Sequence, residues 1–255
     1  MDNPRILFCV VISAATLTTA MAVAADRPVF KAPVAPIAAG PNWTGPYGGV
    51  HLGYGSTRDS ATYVSETAPA GGFVFPLGTV VESDNDGVIG GLQLGYNYQV
   101  NRLVFGAEGD ISWTNARVSK TVIGTLNVPS SAILSADNHW FATLAARAGV
   151  AEGAWLYYGK AGAAWTNVTY GGSATVGAVT NPRSDLTPTR SGWMLGVGAE
   201  WQFQRNWSAK IEYNYLDFGT LRITPNSALG FLSTFDIDSH AHLVKVGVNW
   251  RPGMP

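Results

Sequence analysis

Charge is scarce in this chain. Asp, Glu, Lys and Arg make up 13% of its 255 residues, about half of what a soluble domain carries. The charges also nearly cancel, 16 basic against 17 acidic for a net charge of −1. Without a basic excess there is no electrostatic footprint for a nucleic acid. Cysteine is represented once, by Cys9, so no internal disulfide holds the fold. Long apolar runs are missing, and the mean hydropathy of +0.09 is far from that of a helical membrane protein. What is abundant is Gly, with 30 residues, and Trp, with nine. Nine Trp at this low charge exclude a disordered chain.

One short apolar run, Ile6 to Ala15, follows Arg5 and precedes Ala20, Ala22, Ala24 and Ala25. A basic residue, a short apolar core and small residues predict a secretory signal over residues 1–25, cut after Ala24 or Ala25. Cys9 leaves with it, so the exported chain offers no thiol chemistry. Residues 26–44 form an Ala/Pro-rich lead-in. Pro28, Pro33, Pro36 and Pro41 interrupt pairing there, and the segment is expected in the periplasm without a fold of its own.

From residue 45 to 250 the pattern changes to period two, the mark of strands with unlike faces. Eight runs carry it: Gly45–Gly55, Gly87–Gln99, Leu103–Trp113, Trp140–Val150, Trp155–Trp165, Gly192–Phe203, Trp207–Leu216 and Ser239–Trp250. They are 10 to 13 residues long. A soluble strand is usually about 5–6, whereas a tilted strand crossing a bilayer needs roughly 9–11. One face is apolar, as in Trp193, Leu195, Val197, Ala199, Trp201 and Phe203 or Val244, Val246, Val248 and Trp250. The other face holds the charges: Glu108, Asp110, Arg147, Lys160, Glu200, Lys210, Glu212 and Lys245. Trp and Tyr gather at the run ends, Tyr54, Trp113, Trp140, Trp165, Trp193 and Tyr215 at one and Trp155, Trp201, Trp207 and Trp250 at the other. Two such girdles belong to a transmembrane barrel, since amphipathic rings settle at headgroup level. Short links (Gln99–Arg102, Ala151–Ala154, Gln204–Asn206) alternate with long ones (Ser56–Asp86, Thr114–Asn138, Thr166–Ser191, Asp217–Asp238). Short turns are expected in the periplasm and long loops outside. These signals predict an all-β fold, an eight-stranded antiparallel transmembrane β-barrel, with residues 251–255 as a C-terminal tail. Lumen positions such as Asn249 are expected near water.

Several segments carry a resemblance. Asn42-Trp43-Thr44-Gly45-Pro46-Tyr47-Gly48-Gly49, Phe105-Gly106-Ala107-Glu108-Gly109-Asp110, Asn206-Trp207-Ser208-Ala209-Lys210-Ile211-Glu212-Tyr213 and Lys245-Val246-Gly247-Val248-Asn249-Trp250 resemble alphaproteobacterial outer-membrane β-barrel proteins, the porin-like surface antigens related to the OmpA barrel. The resemblance runs from Asn42 to Trp250. It implies outer-membrane lipid, lipopolysaccharide and the barrel-assembly machinery as partners, and outer loops open to host or envelope ligands. Two residues depart from the pattern: Pro46 stands where the family has an aromatic, and Arg251-Pro252-Gly253-Met254-Pro255 follows the last strand.

Candidate chemistry is sparse. His240 and His242, two apart beside Asp236 and Asp238, are the candidates for a haem or metal; a girdle of polar-tipped rings is the competing reading. Asp84-Asn85-Asp86-Gly87 lacks the closing Glu of a calcium loop and reads as a turn. Ser135, Asp137 and His139 share one loop, but no Gly-x-Ser-x-Gly elbow accompanies them. The expectation is a non-enzymatic structural barrel without a cofactor, its lumen plugged by salt bridges, with Glu108–Arg147 the foremost pair. A narrow porin and a surface haem or ligand binder are the alternatives.

Overall fold

The computed structural model describes residues 42–67, 77–124, 130–176, 179–224 and 232–252, all within the compact unit Ala39–Pro255. The signal segment 1–25, the lead-in up to residue 41 and the tail residues 253–255 lie outside the described residues.

Ten strands are present among the described residues: β1 (Gly45–Thr67), β2 (Val80–Val100), β3 (Leu103–Thr114), β4 (Arg117–Gly124), β5 (Ser130–Glu152), β6 (Trp155–Val176), β7 (Val179–Leu186), β8 (Thr189–Gln204), β9 (Trp207–Ile223) and β10 (Leu232–Trp250). Eight of them close a ring, β1-β2-β3-β5-β6-β8-β9-β10, sealed by antiparallel pairing of β10 with β1 and of β5 with β6. Among the described residues the remaining two pair on one side only, β4 with β5 and β7 with β6. β4 follows β3 after Asn115-Ala116, and β7 precedes β8 across Thr187-Pro188. Each is the outer piece of an interrupted ring strand. At the second break Pro188 has no N–H to give a ladder. The architecture is an eight-stranded antiparallel β-barrel.

Two-residue turns join the strands at one end, at Asn101-Arg102 and Gly153-Ala154. The first residue of each has positive φ, 55° at Asn101 and 57° at Gly153, which Asn and Gly adopt with least strain. At the other end the strands run on. Pairing between β1 and β2 continues from Ser56↔Asp86 to Thr62↔Val80, and β5–β6 pairing reaches Ser130↔Val176. The long links expected as loops are therefore mostly β-ribbon. Asp84–Gly87, expected as a turn, lies within β2, and Ser135, Asp137 and His139, expected in a loop, lie within β5.

Burial is inside out relative to a soluble protein. Leu94, Val197 and Val246 are 71%, 61% and 53% exposed, while Glu108, Lys245 and Glu200 are at most 1% exposed. A soluble sandwich would hide the first group and hydrate the second. An apolar belt this wide requires hydrocarbon around it. The girdles are continuous across strands. At the turn end Trp155 lies opposite Trp201, 6.0 Å between ring centroids, and Trp207 lies opposite Trp250. At the hairpin end Trp113 lies opposite Trp140, and Trp193 is 5.5 Å from Tyr215. Between girdles, the stretch from Leu103 to Trp113 covers about 25 Å at a tilt of about 45°.

Candidate functional site in the barrel lumen

The inward positions fill the lumen in successive layers. At the turn end Trp43, Val104, Leu156, Tyr158 and Ala151 pack into an apolar base. Trp43 precedes β1 and is held inward by Gln99, whose Oε1 accepts its backbone N–H at 2.7 Å. Arg251, just beyond β10, lies over the Trp43 ring at 4.0 Å and donates to Glu200 Oε1 at 2.7 Å. Trp43 and Arg251, on either side of the barrel strands, thus meet and cover its base.

The next layer holds all eight charges singled out from the sequence, each at most 7% exposed: Glu108, Asp110, Arg147, Lys160, Glu200, Lys210, Glu212 and Lys245. Glu108 accepts from Lys160 Nζ at 2.8 Å and from Lys210 Nζ at 3.2 Å. Glu212 accepts from the same two lysines at 3.1 Å each. Arg147 lies 3.6 Å from Glu108 but makes its shorter contact with Glu200, 2.5 Å away. Asp110 accepts from Lys245 Nζ at 2.7 Å and from Thr143. The narrow bore of an eight-stranded ring, with its strand tilt, lets partners two to four strands apart meet.

Two tyrosines outside the initial candidate set order this layer. Tyr47 donates to Glu108 Oε2 at 2.7 Å, and Tyr158 donates to Glu212 Oε1 at 2.6 Å. The Arg147 guanidinium rests 3.5 Å from the centre of the Tyr158 ring, a cation–π contact strengthened by the lack of water. Glycine makes room for both rings. A Cβ at Gly95 would come within 2.4 Å of Tyr47, and one at Gly198 within 2.6 Å of Tyr158. A chain of hydrogen bonds runs alongside: Ser112 and Gln93 flank His51 at 2.8 and 2.6 Å, Gln93 donates to Asn249, and Asn249 donates to Glu200. Asn249 is fully buried, so the expectation that it lies near water is corrected. Its amide is spent on neighbouring side chains.

Above the charges lies an apolar septum that includes Ile89, Phe141, Met194, Leu216, Phe218 and Leu243. Phe141 and Phe218 stack across it, 6.3 Å between centroids. Beyond the septum, past the hairpin-end girdle, the interior turns polar again with Thr57, Asp59, Asn85, Asn138 and Arg190, all buried. Burial holds the Asp59 carboxyl above the usual carboxylate range. On the outside of the ribbons the hydrogen bond from Arg58 holds Asp84 below it.

His240 and His242 face outward at the hairpin-end girdle. Their centroids are 5.8 Å apart, Tyr215 is 5.2 Å from His242, and the Tyr213 hydroxyl lies 2.6 Å from His242 Nδ1. Among the described residues no three His, Cys, Asp or Glu are grouped to hold a metal ion. Ser135 donates to the Gly171 carbonyl, and His139 bonds Thr169 at 3.0 Å.

Residues 12–251 match a family model described as outer membrane protein beta-barrel domain. The 31 kDa outer-membrane immunogenic protein of Brucella melitensis is 32% identical over 265 residues, covering 94% of this chain and 97% of that protein. The 25 kDa outer-membrane immunogenic protein of Brucella abortus is 28% identical, covering 82% and 84%. The crystal structure of the outer membrane protein OprG from Pseudomonas aeruginosa aligns with a TM-score of 0.46 at 10% identity, over 83% of this chain and 99% of that one. The chain belongs to the outer membrane protein β-barrel family, and its place is the outer membrane.

Proposed function

We propose that this barrel is a structural, non-enzymatic protein of the outer membrane, shut to solutes, that supports the envelope and displays its long β-ribbons at the cell surface. The observation that carries the reading is the charge layer. Five cations (Arg147, Lys160, Lys210, Lys245, Arg251) meet four carboxylates (Glu108, Asp110, Glu200, Glu212) inside a ring of eight strands. An unpaired charge there would be strongly unfavourable, so a passing solute would have to break several pairs at once. The septum adds a second obstruction without polar groups to carry an ion. Lipid and lipopolysaccharide surround the apolar belt in this reading, the assembly machinery inserts the strands, and host or envelope ligands meet the ribbons. The Brucella relatives, named for their immunogenicity, support surface display.

Liposome swelling tests closure. Vesicles carrying the barrel should swell in arabinose no faster than empty vesicles; rapid swelling would replace this reading with that of a narrow porin. The export segment is tested separately: protein extracted from outer membranes should begin at Ala25 or Asp26.

A further inference from the structure

Beyond the girdle the ring divides into two leaves. The last pair joining β2 to β3 is Ile89↔Thr114, and the last joining β8 to β9 is Trp193↔Asp217. Past these, β4, β5, β6 and β7 form one four-stranded sheet, and β2, β1, β10 and β9 form the other. No backbone ladder crosses between the leaves among the described residues.

Side chains bridge the gap. On one seam Lys120 Nζ donates to the Glu82 carbonyl. Inside it Asn85 donates to the Ala136 carbonyl and Asn138 to Thr57, at 3.2 and 3.3 Å. The other seam is held by Arg190. Nη1 donates to the Tyr170 hydroxyl at 3.1 Å on its own leaf. Nη2 reaches the opposite leaf, donating to the carbonyls of Phe218, Gly219 and Ile237 at 3.4, 2.5 and 3.1 Å. Successive carbonyls of a regular strand point to opposite sides. Here two successive ones reach the same nitrogen because Gly219 turns the chain at φ 58°. An edge strand with open carbonyls invites foreign pairing, and a basic side chain placed on it is a known defence.

The layer beneath these clasps has acceptors to spare. Asp59 Oδ1, Asn85 Oδ1 and Asn138 Oδ1 are buried without a hydrogen-bond partner, and their residues are 5%, 1% and 3% exposed. The Asn85 amide is oriented by its nitrogen, which must face the Ala136 carbonyl, so its oxygen is the free end. Buried acceptors without donors are costly, and a guest that brings donors or positive charge relieves that cost. The septum forms the floor, so the guest goes no further.

We propose that the outer end of the barrel is a clasped vestibule, whose leaves part along the Arg190 seam to admit a small cationic solute to this oxygen-rich layer. The inference goes beyond the closed-lumen reading and rests on it only for the septum as a floor.

Cysteine accessibility tests it on the full chain in vesicles, in a Cys9→Ser background. Asn85→Cys places a thiol under the clasp; Val80→Cys, on an exposed position, is the control. Each is reacted with methanethiosulfonates of similar size, one bearing trimethylammonium and one sulfonate. Relative to the control, the buried thiol should react about tenfold slower, and faster with the cationic reagent, as for a site reached by local opening. Adding Arg190→Ala should raise its rate about tenfold and leave the control unchanged. Equal rates with and without Arg190→Ala would overturn the clasp, and a preference for the sulfonate would overturn the cationic guest. Heat-modifiable gel mobility monitors folding. Should Arg190→Ala fail to fold, Arg190→Lys, which keeps the charge but cannot fork between leaves, should give a smaller rise; no rise at all would likewise overturn the clasp.

Discussion

Glu108→Gln is the sharpest perturbation of the charge layer. The native carboxylate accepts from Lys160 at 2.8 Å, Lys210 at 3.2 Å and Tyr47 at 2.7 Å, with Arg147 at 3.6 Å. Glutamine keeps the volume and removes the charge, turning an amide NH2 toward ammonium groups that need an acceptor. If only a hydrogen bond were lost, the cost would be about 1 kcal/mol. Leaving three cations without their shared anion should instead cost about 3–5 kcal/mol. Urea unfolding from lipid vesicles, followed by Trp fluorescence, reads the difference as a lowered midpoint with unchanged slope. Lys160→Met in the same chain should then cost less than it does alone, because its shorter carboxylate contact is already gone and only the one with Glu212 remains to be lost; a coupling of about 1–3 kcal/mol is expected. A cost under about 1 kcal/mol for Glu108→Gln, additive with Lys160→Met, would refute the reasoning and mean that water screens these groups.

Other expectations follow from the faces and the fit. Val197→Arg or Val246→Arg, each facing lipid, should lower stability in bilayers by about 2–4 kcal/mol; folding without such a loss would invert the assigned faces. Gly53→Ala would bring a Cβ within 2.1 Å of the Val244 carbonyl, whereas at Gly159 the nearest atom lies 3.8 Å away. The first should cost about 1–3 kcal/mol and the second under about 0.5 kcal/mol, as paired urea melts would reveal. Asp59 binds its proton more tightly folded than unfolded, because burial raises its carboxyl. Its contribution is therefore full below about pH 4, where the unfolded group also protonates, and is lost as pH rises through the raised value. Asp59→Asn should flatten that pH dependence and raise the melting temperature at pH 7; identical pH profiles would remove Asp59 from the account.

The sequence discloses the fold where the strand has two different solvents, and falls silent where it does not. Between girdles one face meets hydrocarbon and the other a polar lumen, so Trp193-Met194-Leu195-Gly196-Val197 and Ser208-Ala209-Lys210-Ile211-Glu212 alternate visibly. The charged lumen positions and His51 follow from the same parity. Past the girdle both sides are polar. Ser56-Thr57-Arg58-Asp59-Ser60 shows no contrast, and its continuation as β1 is fixed by pairing with β2 and β10, which pattern alone does not report. The base of the lumen was equally hidden. Trp43 and Arg251 lie outside the strands, and their contact depends on closure of β1 against β10. Tyr47 and Tyr158 could have been found: each shares the lumen parity of its strand and faces a glycine across the ladder, Gly95 and Gly198. The pairings among the charges depend on tilt and shear, which is why Arg147 favours Glu200 over its neighbour Glu108.

The closed lumen is the central claim, and single-channel recording tests it most directly. Wild-type barrel reconstituted in a planar bilayer should give no steady open level, because the charge layer and the septum lie in series along the lumen. A stable, large conductance from folded, heat-modifiable protein would contradict the account and make the barrel a pore.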